Sequence, residues 1–249
     1  MSDRALVILP TYNEAENIGP LVDRLRLSVP TADLLVVDDG SPDGTGGIAD
    51  ELARRDEAVH VLHRPGKSGL GAAYLHGFSW ARQHGYGVVV ECDADGSHHP
   101  EELERLLDAV RTADVVIGSR WVPGGAVEDW PVSRRTLSRA GSAYARAALH
   151  LPQHDVTSGY RAFRAAALDR IGLDGIQSEG YCFQIEMLWR ANNAGLSIAE
   201  VPITFTDRRL GASKMRGRIV AEAMWRVTRW AWESRSHSPG RTSGEPRHA

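Results

Sequence analysis

Cysteine and long apolar runs are both scarce in this sequence. Only two of its 249 residues are cysteines, Cys92 and Cys182. Both lie among apolar residues and outside any C-x-x-C spacing, which excludes a disulfide framework and leaves no zinc signature. No window approaches the ~18 uninterrupted apolar residues of a membrane span, and no apolar signal region stands at the N-terminus. These absences predict a protein of the reducing cytoplasm that neither crosses a membrane nor is secreted.

Positive charge is not in excess, and lysine is almost missing. The formal net charge is -3 at pH 7, whereas nucleic-acid-binding domains are usually basic, so we expect no nucleic-acid partner. Of 29 basic residues only Lys67 and Lys214 are lysine, and both lie in glycine-containing loops. A compact ammonium group suits a phosphate that is bound and then released. Both lysines are therefore candidate phosphate contacts, with chance survival as the alternative.

What the chain does contain is an alternation of apolar runs and helical patterns. Apolar runs that predict strands occupy residues 5–9, 34–37, 59–62 and 88–92. Helical periodicity follows each of the first three runs, which predicts an α/β fold with a mostly parallel, Rossmann-like sheet flanked by helices. In such sheets ligands bind at the carboxyl ends of the strands. We assign residues 1–233 to this one domain and the Ser/Pro/Gly/Arg-rich residues 234–249 to a disordered tail.

The fourth predicted strand ends in two carboxylates. Asp93 and Asp95 are two residues apart, so on a strand both side chains share a face, and their oxygens suit Mg²⁺ or Mn²⁺ carrying a diphosphate. The alternative is a solvated turn, since Asp and Gly are ordinary turn residues. The chain has neither a G-x-G-x-x-G fingerprint after its first strand nor a Walker lysine loop, which argues against a dehydrogenase and a P-loop kinase. A nucleotide-sugar transferase remains as the interpretation.

A series of short motifs supports this interpretation. The series is 9–14 (LPTYNE), 37–45 (VDDGSPDGT), 69–74 (GLGAAY), 93–100 (DADGSHHP), 118–120 (GSR), 155–161 (DVTSGYR), 180–187 (GYCFQIEM), 200–203 (EVPI), 207–208 (DR) and 213–215 (SKM). In this order the motifs resemble those of family 2 glycosyltransferases with the GT-A fold, and within that family the dolichol-phosphate or polyprenol-phosphate mannose synthases. The resemblance covers nearly all of residues 5 to 231.

The resemblance implies an activity and its cofactor. It implies inverting transfer of mannose from GDP-mannose to a polyprenyl, dolichyl-type monophosphate, giving β-D-mannosyl phosphopolyprenol with Mg²⁺ or Mn²⁺ as the metal. The anionic phosphate oxygen of the acceptor needs little or no general base, so the protein's task is relief of charge. Two alternatives remain open. One is an enzyme of the same fold that uses UDP-glucose or another nucleotide sugar, and the other is a non-catalytic nucleotide-binding membrane adaptor.

The resemblance also implies site residues. The implied nucleotide-sugar contacts are Pro10, Tyr12, Glu14, Val37, Asp39, Asp93, Ala94, Asp95, Arg120, Arg208 and Lys214. The implied metal ligands are Asp93 and Asp95, and the implied catalytic residues are Asp95, Arg120, Arg134, Arg208 and Lys214. Ser97 stands where the family often has a larger polar residue, and its hydroxyl is a poorer metal ligand. We expect His98 and His99 to shape the loop rather than to bind metal.

Two amphipathic stretches are candidates for contact with the lipid, residues 133–151 and 215–233. In the second, Trp225 and Trp232 lie beside arginines at the margin of an apolar face, a pattern typical of membrane interfaces. Packing against the core is the alternative, and we accept it for the face that contains Ile219. The sequence thus predicts a peripheral protein on the cytoplasmic face of a membrane, held there by these helices or by a separate membrane-anchoring protein.

Overall fold

The computed structural model describes residues 4–176, 178, 180–207 and 217–236. The strands are β1 (Ala5–Thr11), β2 (Asp33–Asp38), β3 (Val59–His63), β4 (Val88–Glu91), β5 (Val115–Ser119), β6 (Ala126–Glu128), β7 (Arg161–Arg164), β8 (Ile198–Pro202) and β9 (Thr204–Thr206). The α-helices are α1 (Ile18–Ser28), α2 (Thr45–Arg55), α3 (Leu70–Gln83), α4 (Leu103–Ala109), α5 (Val132–Leu149), α6 (Ala165–Ile171), α7 (Tyr181–Asn193) and α8 (Gly217–Ser236). All four predicted strands are present.

A mostly parallel sheet forms the centre of the fold. Its strand order is β3-β2-β1-β4-β7-β5-β8, and a separate two-stranded sheet pairs β6 with β9. Strand β7 runs antiparallel to both neighbours, β4 and β5, and the other pairs of the large sheet are parallel. The predicted α/β architecture is confirmed. Because β1, β2 and β4 are adjacent and parallel, the segments that follow them meet at one edge of the sheet.

Side chains alternate between the two faces of the central strands, and helices cover both faces. In β1, Val7 and Leu9 pack into one apolar cluster and Leu6 and Ile8 into another, all with no exposed surface. Such burial on both faces explains why these strands are continuous apolar runs. On the second face α3 approaches β1 closely at Gly77, where a Cβ atom would lie 2.7 Å from Ile8 Cδ1. Only glycine permits that approach.

A third apolar cluster joins α5, α7 and α8. Val227 of α8 is fully buried, and Trp230 stacks on Trp189 of α7 with ring centroids 5.6 Å apart. The Tyr144 and Thr228 hydroxyls, 2.6 Å apart, join α5 to α8. Helix α8 continues to Ser236, three residues beyond residue 233, where the sequence places the end of the domain; that boundary stays a prediction. Residues 237–249 of the predicted tail lie outside the described residues.

The outer surfaces of α5 and α8 carry apolar side chains. Trp225 and Trp232 are 61% and 73% exposed, and Met224, Val132 and Leu137 are exposed as well. Arg229 lies over the Trp225 ring at 5.9 Å. In the described part of the chain, no helix combines the length and the apolarity that crossing a membrane requires.

Candidate active site

The loop after β1 is fastened to the loop after β2. The backbone N–H of Glu14 donates to the Thr45 hydroxyl at 2.9 Å, and the Asp38 carboxylate accepts from Thr11 and Ser41 at 3.2 and 2.5 Å. The Glu14 carboxylate is buried and accepts from the Asn17 amide at 2.7 Å. These contacts bring the predicted nucleotide residues of both loops together at the sheet edge. Asp38 shapes the loop there.

Asp39 is held by a cation that the sequence did not single out. Arg64 forms a buried ion pair with its carboxylate, with both side chains 6% exposed, and the Ser68 backbone N–H donates to the second oxygen at 3.3 Å. From the same loop, Lys67 Nζ lies 4.3 Å from the centre of the Tyr12 ring, close enough for a cation–π interaction. The loop after β3 therefore orders Asp39 and Tyr12, two of the predicted nucleotide contacts.

Asp95 is oriented by Ser97. Its Oδ1 atom accepts from the Ser97 hydroxyl at 2.6 Å and from the Ser97 backbone N–H at 3.0 Å. Gly96 makes this tight turn possible with a φ of 74°, a backbone conformation that favours glycine. Ser97 thus fixes the orientation of the Asp95 carboxylate through two hydrogen bonds.

His98 belongs to the same loop, and its ring is buried. Its Nδ1 accepts from the Asp93 backbone N–H at 3.1 Å, and its ring stacks on Tyr160 with centroids 4.7 Å apart. Burial lowers the pKa of His98 to about 4, against the opposing effect of the Asp95 charge. His99 bonds the Thr206 hydroxyl at 2.8 Å. Both histidines thus make contacts that shape the loop.

Asp93 lies beside two polar side chains that sequence reasoning missed, Tyr74 and Gln184. The Tyr74 hydroxyl donates to its Oδ1 at 3.4 Å, and burial, assisted by the Asp93 charge, raises the pKa of Tyr74 well above its usual value. A Cβ atom on Gly159 would lie 3.7 Å from both Asp93 oxygens and 3.8 Å from the Gln184 amide nitrogen. Asp93 and Gln184 therefore converge on the open side of Gly159.

Glu91 lies two residues before Asp93 and is completely buried. Neither of its carboxyl oxygens, and neither polar atom of the Gln184 side chain, makes a hydrogen bond of ordinary geometry with the described residues. Burial raises the pKa of Glu91 to about 8, although the Arg161 charge and the adjacent Gln184 amide oppose the shift. A charged residue type inside an otherwise apolar buried strand was the available sequence signal for this group.

Arg120 is a buried residue with a dedicated partner. Its Nε and Nη2 atoms donate to the two Asp155 oxygens, each at 2.7 Å, and Nη2 also donates to Thr157 at 2.9 Å. Burial alone would raise the pKa of Asp155, but the Arg120 charge and hydrogen bonds hold it below its usual value. The charge that we predicted for phosphate contact is thus already compensated within the protein. A direct phosphate contact by Arg120 stays a prediction.

Arg134 is more accessible than Arg120. Its Nη1 lies 2.6 Å from Asp207 Oδ2, with side chains 21% and 30% exposed, and its guanidinium lies 4.3 Å from the Trp130 ring centre. Asp207 directly precedes Arg208, which lies outside the described residues, as does Lys214. The roles predicted for Arg208 and Lys214 therefore stay predictions.

The donor set at Asp93 and Asp95 fits a divalent metal that is shared with a substrate. Among the residues that the structure describes, no three His, Cys, Asp or Glu side chains form a metal cluster. Mg²⁺ and similar ions are commonly held by one or two carboxylates, with substrate phosphates and water as the remaining oxygen ligands. Two neighbouring carboxylates, one of them fixed by Ser97, match that arrangement.

Two curated relatives resemble the chain over most of its length. The polyprenol monophosphomannose synthase of Mycolicibacterium smegmatis is 56% identical over 236 residues, covering 94% of this chain and 89% of that protein. The undecaprenyl-phosphate mannosyltransferase of Micrococcus luteus is 57% identical over 232 residues, covering 93% of this chain and 96% of that protein.

Solved structures share the fold at lower identity. Glucosyl-3-phosphoglycerate synthase from Mycobacterium tuberculosis, in complex with Mn²⁺, UDP and glucosyl-3-phosphoglycerate, superimposes with a TM-score of 0.63 at 23% identity, covering 95% of this chain and 81% of that chain. The same enzyme with Mn²⁺ and UDP-glucose also gives a TM-score of 0.63, at 23% identity and with 95% and 80% coverage. This likeness confirms the predicted GT-A fold.

The family assignment rests on the part of the chain that builds the site. The model of the glycosyl transferase family 2 matches residues 6–172, which include β1 to β7 and the carboxylates of the sheet edge. Together with the two curated relatives, this match shows that the chain belongs to glycosyl transferase family 2 and is a glycosyltransferase.

Proposed function

We propose that the protein transfers mannose from GDP-mannose to a polyprenyl monophosphate. The observation that carries the proposal is the identity of 56% and 57%, over nearly the whole chain, to two relatives that are named as polyprenol-phosphate mannosyltransferases. The acidic sheet edge supports it, because a nucleotide diphosphate with a metal is the ligand that such an edge accommodates.

The donor would bind across the ends of β1, β2 and β4. Tyr12, Glu14 and Asp39 line the base and ribose end, where carboxylates can accept the N–H donors of guanine and an aromatic ring can pack against them. Pro10, Val37 and Ala94 complete the wall. Asp93 and Asp95 would hold the metal at the diphosphate, and when bound the ion relieves the charge that develops on the leaving group. Arg208 and Lys214 follow β9 and are proposed phosphate contacts.

The acceptor phosphate supplies its own nucleophile. One of its anionic oxygens attacks the anomeric carbon of mannose as the bond to the diphosphate breaks, so direct displacement inverts that centre and gives the β-linked lipid product. The chain needs cations that offset the charge of two phosphate groups in close approach. Arg134 suits this role because it is partly exposed and its partner Asp207 is partly exposed as well. Arg120, with its buried partner, would mainly position the neighbouring wall.

The acceptor's lipid chain calls for a membrane surface. Helices α5 and α8 pack together and carry the exposed Trp225 and Trp232. Indole rings beside arginine are suited to the boundary between headgroups and acyl chains. We propose that this side of the protein meets the cytoplasmic leaflet, alone or with a membrane-anchoring protein.

A donor panel tests the proposal. GDP-mannose, GDP-glucose and UDP-glucose are each incubated with the protein, a polyprenyl phosphate and Mg²⁺ or Mn²⁺, and radiolabel entering the lipid phase is counted. The proposal predicts label from GDP-mannose well above the other two. Label mainly from UDP-glucose would favour the alternative donor, and label from none of them would favour a nucleotide-binding adaptor.

A further inference from the structure

Four buried polar atoms at the base of the site make no hydrogen bond of ordinary geometry with the described protein, although the Gln184 amide lies close enough to Glu91 to lower its pKa. They are the two carboxyl oxygens of Glu91 and the oxygen and nitrogen of the Gln184 side-chain amide. Glu91 has no exposed surface and Gln184 is 2% exposed. An unsatisfied buried polar atom costs about 1–3 kcal/mol, so a side-by-side pair of such residues implies a compensating use.

The cation nearest to Glu91 does not meet this need. Arg161 lies opposite Glu91 in the antiparallel register of β4 and β7. Its guanidinium donates instead to the backbone carbonyls of Ser158, Gln184 and Val156 at 2.8, 2.7 and 3.0 Å. Arg161 therefore ties the first turns of α7 to the segment that leads into β7. None of these three bonds involves the Gln184 side-chain amide.

The unpartnered Gln184 amide lies next to Gly159, which is partly exposed. A Cβ atom on Gly159 would be within 3.8 Å of both the Asp93 carboxylate and the Gln184 amide. Gly159 and Asp93 are partly exposed, whereas Gln184 and Glu91 are buried below them. The absence of a side chain at Gly159 thus leaves a small polar recess beside Asp93, at the diphosphate end of the proposed donor site.

We propose that Gly159, Gln184 and Glu91 form a hydroxyl-binding recess that determines which donor sugar is accepted. The inference rests on the proposed function, because it needs a sugar attached to the diphosphate at Asp93. A carboxyl and a carboxamide side by side can donate to and accept from neighbouring ring hydroxyls. A site built in this way rejects a sugar that lacks the matching hydroxyl, since its own buried groups then stay unpaired. Mannose and glucose differ in one such hydroxyl.

Filling the recess with one methyl group is the sharpest test. Cβ contacts at 3.7–3.8 Å are ordinary van der Waals distances, so Gly159→Ala should fold with an unchanged melting temperature and bind GDP like wild type. Its Kd for GDP-mannose, measured with Mn²⁺, should rise by about tenfold or more. Gly19→Ala is the matched control, because a Cβ there meets nothing within 4 Å. Equal Kd values for GDP-mannose in Gly159→Ala and wild type would overturn the proposal.

Removing the amide tests selectivity. Gln184→Met keeps the length of the side chain but cannot recognise a hydroxyl pair, so the ratio of kcat/KM for GDP-mannose over GDP-glucose should fall by about tenfold or more with no loss of melting temperature. Glu186→Gln is the control on the same helix, since Glu186 already bonds Ser178 and Arg190; it should lose stability and keep the ratio. A lower melting temperature in Gln184→Met with an unchanged donor ratio would mean that Gln184 is structural.

The two proposals can fail separately. If wild-type protein prefers UDP-glucose, the proposed donor is wrong, and the Gly159→Ala comparison is then made between UDP-glucose and UDP. Weakened binding of the sugar nucleotide alone still supports the recess. Equal weakening of UDP and UDP-glucose contradicts it.

Discussion

Asp155 and Glu91 are both completely buried carboxyl groups, but their surroundings differ. Asp155 is enclosed by Arg120, which donates to both of its oxygens, and its pKa is held below the usual value. Glu91 lies near Arg161 without a hydrogen bond from it, and burial raises its pKa to about 8. The comparison separates polar groups that the protein itself completes from groups that it leaves for a ligand. The first kind should govern stability and the second kind activity.

The largest effect should come from breaking the completed pair. Asp155→Ala removes the carboxylate that pairs with the buried Arg120 guanidinium, which should lower the free energy of unfolding by about 3–5 kcal/mol. Urea denaturation of the variant and wild type at pH 7 measures the difference. A loss below about 1 kcal/mol, the range of exposed ion pairs, would show that other groups compensate Arg120 and that the pair does not govern stability.

We predict that Lys214 contacts a ligand and therefore affects activity rather than stability. Lys214→Ala should lower kcat/KM by a factor that corresponds to a loss of about 2–4 kcal/mol in transition-state stabilisation, the scale for one charged contact. The melting temperature should stay unchanged. Lys214→Arg should restore activity only in part, because its planar fork differs from a point charge. Full activity in Lys214→Ala would leave the charge relief to the arginines and the metal.

The pH dependence of stability should sharpen the contrast. The folded pKa of Glu91, about 8, exceeds its ordinary value of 4.5, so the folded state retains this proton while the unfolded chain loses it. The contribution of Glu91 to stability is therefore complete below pH 4.5 and is lost as the pH rises towards 8. In metal-free buffer, Glu91→Gln should show a smaller decline over this window than wild type. Parallel declines would assign the titration to other groups.

The smallest effect on the stability of the folded protein should come from the exposed tryptophans of α8. Changing both Trp225 and Trp232 to Ser should leave the melting temperature and GDP binding intact, because both rings are mostly exposed. Association with anionic liposomes should weaken, as should activity with membrane-embedded acceptor. Val227→Ser, in the buried face of the same helix, is the contrasting variant and should lose stability. Equal liposome binding by the double variant and wild type would remove α8 from the proposed membrane surface.

Sequence reasoning succeeded where the signal is local and failed where partners are distant. The strands from β1 to β4, the helices after the first three of them and the carboxylates at their ends follow from apolar runs and short motifs. The antiparallel strand β7 did not emerge, because its four residues include two arginines and its partners are far away in sequence. The Arg120–Asp155 pair, 35 residues apart, and the contact of Arg64 with Asp39 likewise depend on tertiary packing. Glu91 was not singled out, although it is a charged residue type at the end of an apolar run, and its proximity to Gln184 on α7 depends on tertiary packing.

Asp95 gives the most direct test of the central claim that the acidic edge holds a metal and the donor diphosphate. The side chain of Asp95→Asn retains a carbonyl oxygen that can accept from Ser97, so the fold should survive while the negative charge is lost. The turnover of mannose transfer, measured at saturating GDP-mannose and over a range of Mg²⁺ and Mn²⁺ concentrations, should fall by about a hundredfold or more. Wild-type turnover by Asp95→Asn at saturating metal would contradict the claim.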